Sequence, residues 1–211
     1  MILEREASQC RPRRSRSGHV PVRPIGRRVI ASLISIVLVL ASHPGGVSGQ
    51  PPGPSQVDVE AVYLFNFAKF VRWPVGHDGE SLNICIAGEK IYAESASRIV
   101  AGERIGTRPL AVRSVQHSDE VTDCSILFIG ASAKDRLEGL LNAAGRQPTL
   151  TVSDLPGFLE RGGMINFLVQ NNRVRFAVNL EAVEKSGLSL SSELLKVAVK
   201  VEGKTSGEAA R

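Results

Sequence analysis

Histidine and cysteine are scarce in this 211-residue chain, with four of the first and three of the second. Only His77, His117, Cys85 and Cys124 lie beyond residue 49, so a metal cluster has too few ligands at ligating spacing. A serine or cysteine relay would have only His77 or His117 to take its proton. A glycine-rich, phosphate-cradling turn is also missing. The nearest stretch is Ala87-Gly88-Glu89-Lys90, with one glycine and an acid where negative charge is unwelcome. Carboxylates do not cluster at the expected strand ends, Ala87-Gly88-Glu89 and Ile129-Gly130-Ala131, which excludes a receiver-type phosphoacceptor site. There is no internal repeat and no long charge run. Nothing assembles into a catalytic constellation.

The positive charge sits in one place. Residues 1–49 hold eight Arg against Glu4 and Glu6, so of the whole-chain net of +5 the remainder keeps 18 basic and 19 acidic residues, a net of −1. That front is therefore no argument for nucleic acid. It has the three parts of a secretory signal: an Arg-rich start ending Gly26-Arg27-Arg28, an apolar run Val29–Ala41 and a small-residue tract ending Val47-Ser48-Gly49. The run has 13 residues, short of the roughly 20 a membrane-spanning helix needs. The expectation is a cleaved leader over 1–49, a disordered tail over 50–55, one domain over 56–203 and a frayed tail over 204–211. Cys85 and Cys124, in an oxidising compartment, read as a disulfide closing a 39-residue interval, with two buried free thiols as the other reading.

Aromatics are few but concentrated. Tyr63, Phe65, Phe67, Phe70 and Trp73 place five of the ten within Val59–Pro74. Ser55 and Asp58 have capping-box spacing and Pro74 forbids continuation, which predicts a helix from about Gln56 to Arg72. Only Asp58, Asn66 and Lys69 make a polar stripe, interrupted by Val62. Such a helix lies in the core, or part of it docks on another subunit or partner. Phe65 and Trp73 are its candidate contact residues.

Beyond it, Leu82–Ala87, Pro109–Val115, Ser125–Ile129 and Thr149–Val152 read as strands, with helices over Glu89–Val100 and Ser132–Ala144 between them. Asn171-Asn172 is expected to turn a hairpin that pairs Val169 with Val174, Phe167 with Phe176 and Ile165 with Val178 on an apolar face. Short helices are expected over Leu180–Ser186 and Ser192–Glu202, the second with Leu194, Leu195, Ala198 and Val201 inward. The fold class is mixed α/β: a largely parallel sheet of about six strands with an antiparallel C-terminal hairpin, flanked by helices. Arg173 and Arg175 on the hairpin are candidates to clamp a carboxylate or pair across an interface; solvated positions guarding a sheet edge are the plainer reading. A small-ligand crevice near Gly88, Gly130 and Asp154 is the alternative function.

Several stretches together resemble the YfiR family: Ala61-Val62-Tyr63-Leu64-Phe65-Asn66-Phe67-Ala68-Lys69-Phe70-Val71-Arg72-Trp73-Pro74, Leu82-Asn83-Ile84-Cys85-Ile86-Ala87-Gly88, Leu150-Thr151-Val152-Ser153-Asp154, Gly162-Gly163-Met164-Ile165-Asn166-Phe167, Val174-Arg175-Phe176-Ala177-Val178-Asn179-Leu180 and Ser191-Ser192-Glu193-Leu194-Leu195. The resemblance implies a periplasmic, non-enzymatic regulator of mixed α/β fold, dimeric and without a cofactor. Its partner would be the periplasmic domain of an inner-membrane diguanylate cyclase, held inactive, or of a sensor kinase; no nucleic acid is implied. Cys85 and Cys124 match the disulfide expected in that family, while a second cysteine pair of some members is missing here.

Overall fold

In the computed structural model, residues 53–76 and 79–203 are described. The expectations for the leader, for residues 50–52 and for 204–211 lie outside them, as does His77. The first helix, α1, runs Gln56–Phe70, and Ser55 caps it by accepting from the Asp58 N–H at 3.2 Å. The expected helix reached Arg72, but Val71–Arg72 is extended as β1. It pairs antiparallel with Ser189–Leu190 (β9). Pro74 keeps Trp73 out of the helical region and so bars continuation beyond Arg72, and β-branched Val71 finds a strand partner in Leu190.

The chain then alternates: β2 Leu82–Ala87, α2 Lys90–Val100, β3 Arg104–Ile105, β4 Arg108–Ser114, β5 Ile126–Ile129, α3 Leu137–Ala144, β6 Leu150–Ser153, β7 Ile165–Gln170, β8 Arg173–Asn179, α4 Leu180–Lys185, β9, α5 Ser192–Val197 and β10 Lys200–Glu202. The main sheet has the order β10-β8-β7-β6-β5-β2-β4-β3. Its six longer strands are those expected, parallel from β4 to β7, with β7 and β8 antiparallel. The hairpin register is as the sequence implies: Ile165 faces Val178, Phe167 faces Phe176 and Val169 faces Val174. Asn171 and Asn172, at φ of 50° and 57°, take the left-handed conformation that a two-residue hairpin turn demands.

Two expected helices are shorter than the sequence suggested. Ala131–Arg136 winds as a tighter 3-10 turn ahead of α3, because the chain leaves β5 at Gly130 and bonds back immediately, Ala133 N–H to Gly130 O at 3.0 Å. The segment expected to be helical to Glu202 stops at Val197 and becomes β10, parallel to β8. The cause is a vacant strand edge. Val199 N–H donates to Phe176 O at 3.0 Å, and the β-branched residues Val197, Val199 and Val201 suit a strand better than a helix.

The central strands are buried on both faces. Ile84, Ile86, Ile126 and Phe128 join one core under α1, while Cys85, Ala87, Leu127 and Ile129 join the other with α3 and Phe158. In the first, the Phe67 ring lies 5.8 Å from Phe167 and 5.2 Å from Phe176, with Tyr63 6.0 Å away. In the second, Cys85 of β2 and Cys124 ahead of β5 are bonded, their Cα atoms 5.8 Å apart. Among the described residues no helix is long and apolar enough to cross a membrane.

Two stability measurements check this packing. Phe67→Ala should lower the free energy of unfolding in urea by about 3–5 kcal/mol, and Phe67→Leu by clearly less. Cys85→Ser should lower it by about 4 kcal/mol under oxidising conditions, from loss of the loop constraint, and far less where thiols are kept reduced.

Candidate functional site

The carboxyl ends of β2 and β5 meet at the point where the sheet changes direction. The chain leaves β2 through α2 toward β4, and leaves β5 through α3 toward β6 on the opposite side. In open α/β sheets this is where ligands bind. Gly88 and Gly130 touch here: a Cβ on Gly88 would come within 3.2 Å of Gly130 Cα, and one on Gly130 within 2.8 Å of Glu89 Oε2. A side chain at Gly88 would thus have to push the Gly130 backbone away by a few tenths of an ångström, and one at Gly130 would displace the Glu89 carboxylate. The opening is filled from within. Glu89 accepts from the Ser132 N–H at 3.0 Å, so its carboxylate holds the place an anion would take at the first turn after β5.

Behind this plug lies a buried acidic group that connects α1, α2 and the end of β6. Glu60 of α1 is fully buried and accepts from Gln56 Nε2 at 2.8 Å. Tyr92 of α2 donates its hydroxyl to Asp154 Oδ2 at 3.1 Å. Glu60 Oε2, Asp154 Oδ1 and Glu89 Oε2 have no hydrogen-bond partner among the described residues. Burial pushes the Glu60 carboxyl above its ordinary range, opposed by the Gln56 hydrogen bond and raised further by the charge of Asp154. Burial raises Asp154 likewise, against the hydrogen bond from Tyr92. Burial and the two carboxylates hold the Tyr92 hydroxyl in its neutral form far into the alkaline range. Among the described residues no three His, Cys, Asp or Glu side chains are placed to hold a metal ion.

The sequence missed this group, although a signal existed. Glu60 precedes Leu64 by four and Phe67 by seven residues, which puts it on the buried face of α1. Its neighbour Asp58 faces outward and accepts from Ser95 at 2.6 Å and from Arg98 at 3.1 Å, tying the start of α1 to α2. Hydrogen bonds from Ser95 and then Ser55, with a smaller effect of the Arg98 charge, hold the Asp58 carboxyl below its ordinary range.

The residues singled out from sequence are dispersed. Phe65 and Trp73 are both half-buried against the core under α1, with the Lys69 ammonium 3.8 Å from the Phe65 ring centre. Arg173 and Arg175 line a separate surface hollow of about 540 Å³ with Gln170, Asn171 and Val199. The aromatic helix is not wholly enclosed, for Val62 is 44% exposed, Phe70 38% and Val75, just beyond, fully so. His117 caps the 3-10 turn Ser118–Val121 at the surface, with Glu120 completing the capping box, and so is engaged in local structure. Cys85 and Cys124 are bonded to each other, so neither is free to act as a nucleophile.

The model of the YfiR/HmsC-like family matches residues 57–199. The chain belongs to the YfiR/HmsC-like family. YfiR-like proteins are periplasmic regulators rather than enzymes, acting in general terms on diguanylate cyclases. Among solved structures, a conserved domain protein of Vibrio cholerae is similar at 13% identity and a TM-score of 0.47, over 70% of this chain and 60% of that one. The ABC domain in complex with L-Trp from Streptococcus pneumonia is similar at 7% identity and a TM-score of 0.45, over 65% of this chain and 58% of that one. This YfiR-like chain thus spans about three fifths of the length of either structure, and likeness at that level carries no argument about what it binds.

The raised carboxyls predict a direction of pH dependence. A carboxyl whose folded pKa is raised stabilises the fold fully below its unfolded pKa and loses that contribution as pH climbs through the folded value. Stability should therefore rise on acidification from neutral through the range just above ordinary carboxylates, before other groups titrate. Glu60→Gln should be more stable than the parent at neutral pH and show a flatter profile there, read from unfolding curves against pH.

Proposed function

We propose that this protein is a periplasmic regulatory binding protein that represses or tunes a membrane-bound diguanylate cyclase by contacting its periplasmic domain, and that it does so as a homodimer. The observation that carries the reading is the outer face of α1. One face of the helix is buried, through Glu60, Ala61, Leu64, Phe67 and Ala68, yet Val62, Phe70 and the following Val75 remain in solvent beside half-buried Phe65 and Trp73. An apolar face left in water beside a buried aromatic cluster suits a protein contact. Family membership supports the same reading.

In cells, deletion should raise cyclic di-GMP and re-expression should lower it. Val62→Asp and Phe70→Asp should abolish repression and co-purification of the cyclase while changing stability by no more than about 0.5 kcal/mol, as exposed positions allow. Full repression by the double variant would remove the α1 face from the contact. Sedimentation of the exported chain as a monomer at working concentration would remove the homodimer.

A further inference from the structure

The sheet edge at β4 is only half covered. Val115 N–H donates to Ile86 O at 2.8 Å, so the alternation of the parallel ladder turns residues 111, 113 and 115 toward β2 and residues 110, 112 and 114 outward. The short strand β3 takes the first of these, through Leu110 N–H to Glu103 O at 3.1 Å, and pairs only as far as Arg108 and Pro109. The outward N–H groups of Val112 and Ser114 have no acceptor among the described residues. The opposite edge, β10, is guarded in the usual way: three residues long, with Lys200 and Glu202 ion-paired along it.

The two faces of the open edge differ. On one side, Leu110 enters the core and Val112 packs against it, while α2 stands back to leave a groove of about 510 Å³ lined by Lys90, Ala93, Glu94, Ser97, Val112 and Ser114. Its floor is small and weakly polar, and its charges are matched, Glu94 pairing with Lys90 at 3.0 Å and Arg98, which also lines it, with Asp58 at 3.1 Å. On the other side stands Arg113, exposed, its guanidinium making no hydrogen bond or ion pair among the described residues although its charge helps to lower the Glu120 carboxyl.

We propose that this edge accepts an added β-strand from a different protein, an extended segment whose side chains run apolar, acidic, apolar. Laid antiparallel, such a strand exchanges backbone hydrogen bonds with Val112 and Ser114. The residues opposite these two enter the groove over Ala93 and Ser97, and the residue between them lies opposite Arg113 on the other face, where a carboxylate is the favourable partner. A second copy of this chain is the poorer occupant. Pairing Val112 of one copy with Ser114 of the other sets two Arg113 side chains directly opposite each other, and like charges in that position repel. The inference is independent of the contact proposed for α1, and either can fail alone.

The test is an NMR titration of the isotopically labelled protein with the blocked peptide acetyl-Thr-Val-Glu-Val-Thr-amide. The Val112 and Ser114 amides should shift most and become protected from solvent exchange. Ser114→Pro removes an outward N–H that the fold does not use, and should weaken binding by about tenfold or more while the remaining spectrum stays in place. Arg113→Glu should weaken the same peptide by about tenfold and reverse the preference toward the peptide with Lys in place of Glu; it also serves as the second variant should Ser114→Pro fail to fold. No shift at Val112 and Ser114 at the highest soluble peptide concentration would overturn the proposal. So would equal binding of the Glu and Lys peptides by the parent protein, or concentration-dependent shifts of those two amides without peptide, which would mean self-pairing.

Discussion

The structure depends on one contact, the seating of α1 against the β7–β8 hairpin. Phe67 packs on both Phe167 and Phe176, and Leu64 and Ala68 join the same core. Everything on that face follows from it. The strands beneath can be apolar throughout because the helix covers them, and Glu60 is carried into the interior because it shares the stripe with Leu64 and Phe67. Burial of Glu60 beside Tyr92 and Asp154 in turn places unsatisfied carboxylate oxygens where α1, α2 and β6 join. That is a costly arrangement for stability, and it falls behind the crevice where this fold class binds its ligands.

The crevice itself is closed by the protein's own side chain. Glu89 takes up the Ser132 N–H, and Gly88 and Gly130 bring two strand ends into backbone contact. An architecture that commonly binds a phosphate or nucleotide here holds its own acidic side chain instead, and the surfaces left open lie on the outside of the molecule. There, an exposed portion of α1 and an unpaired stretch of β4 offer two different kinds of surface, one apolar and one built from backbone donors and acceptors.

Much of this was legible in the residues. Period-two alternation and the Asn171-Asn172 pair gave the hairpin register to the residue, because one face had to be Ile165, Phe167 and Val169 against Val178, Phe176 and Val174. The central strands were legible as unbroken apolar runs. The last helix was misjudged past Val197 because its periodicity fits a helix as well as a strand; what decides is the vacant edge of β8, a tertiary fact no local window contains. Aromatic content pointed to Phe65 and Trp73, yet packing half-buries both and leaves Val62, Phe70 and Val75 in solvent. The acidic group was hidden because Glu60, Tyr92 and Asp154 are far apart in the chain and meet only through the sheet.

The central claim is that α1 uses its inner face to hold the fold and its outer face to hold a partner. Carbene footprinting of the protein, alone and bound to the periplasmic domain of a membrane diguanylate cyclase, tests it directly. The expected result is loss of labelling at Val62, Phe70 and Val75 on binding, with Leu64 and Phe67 dark in both states. A formed complex in which those three residues label as strongly as in the free protein would contradict it.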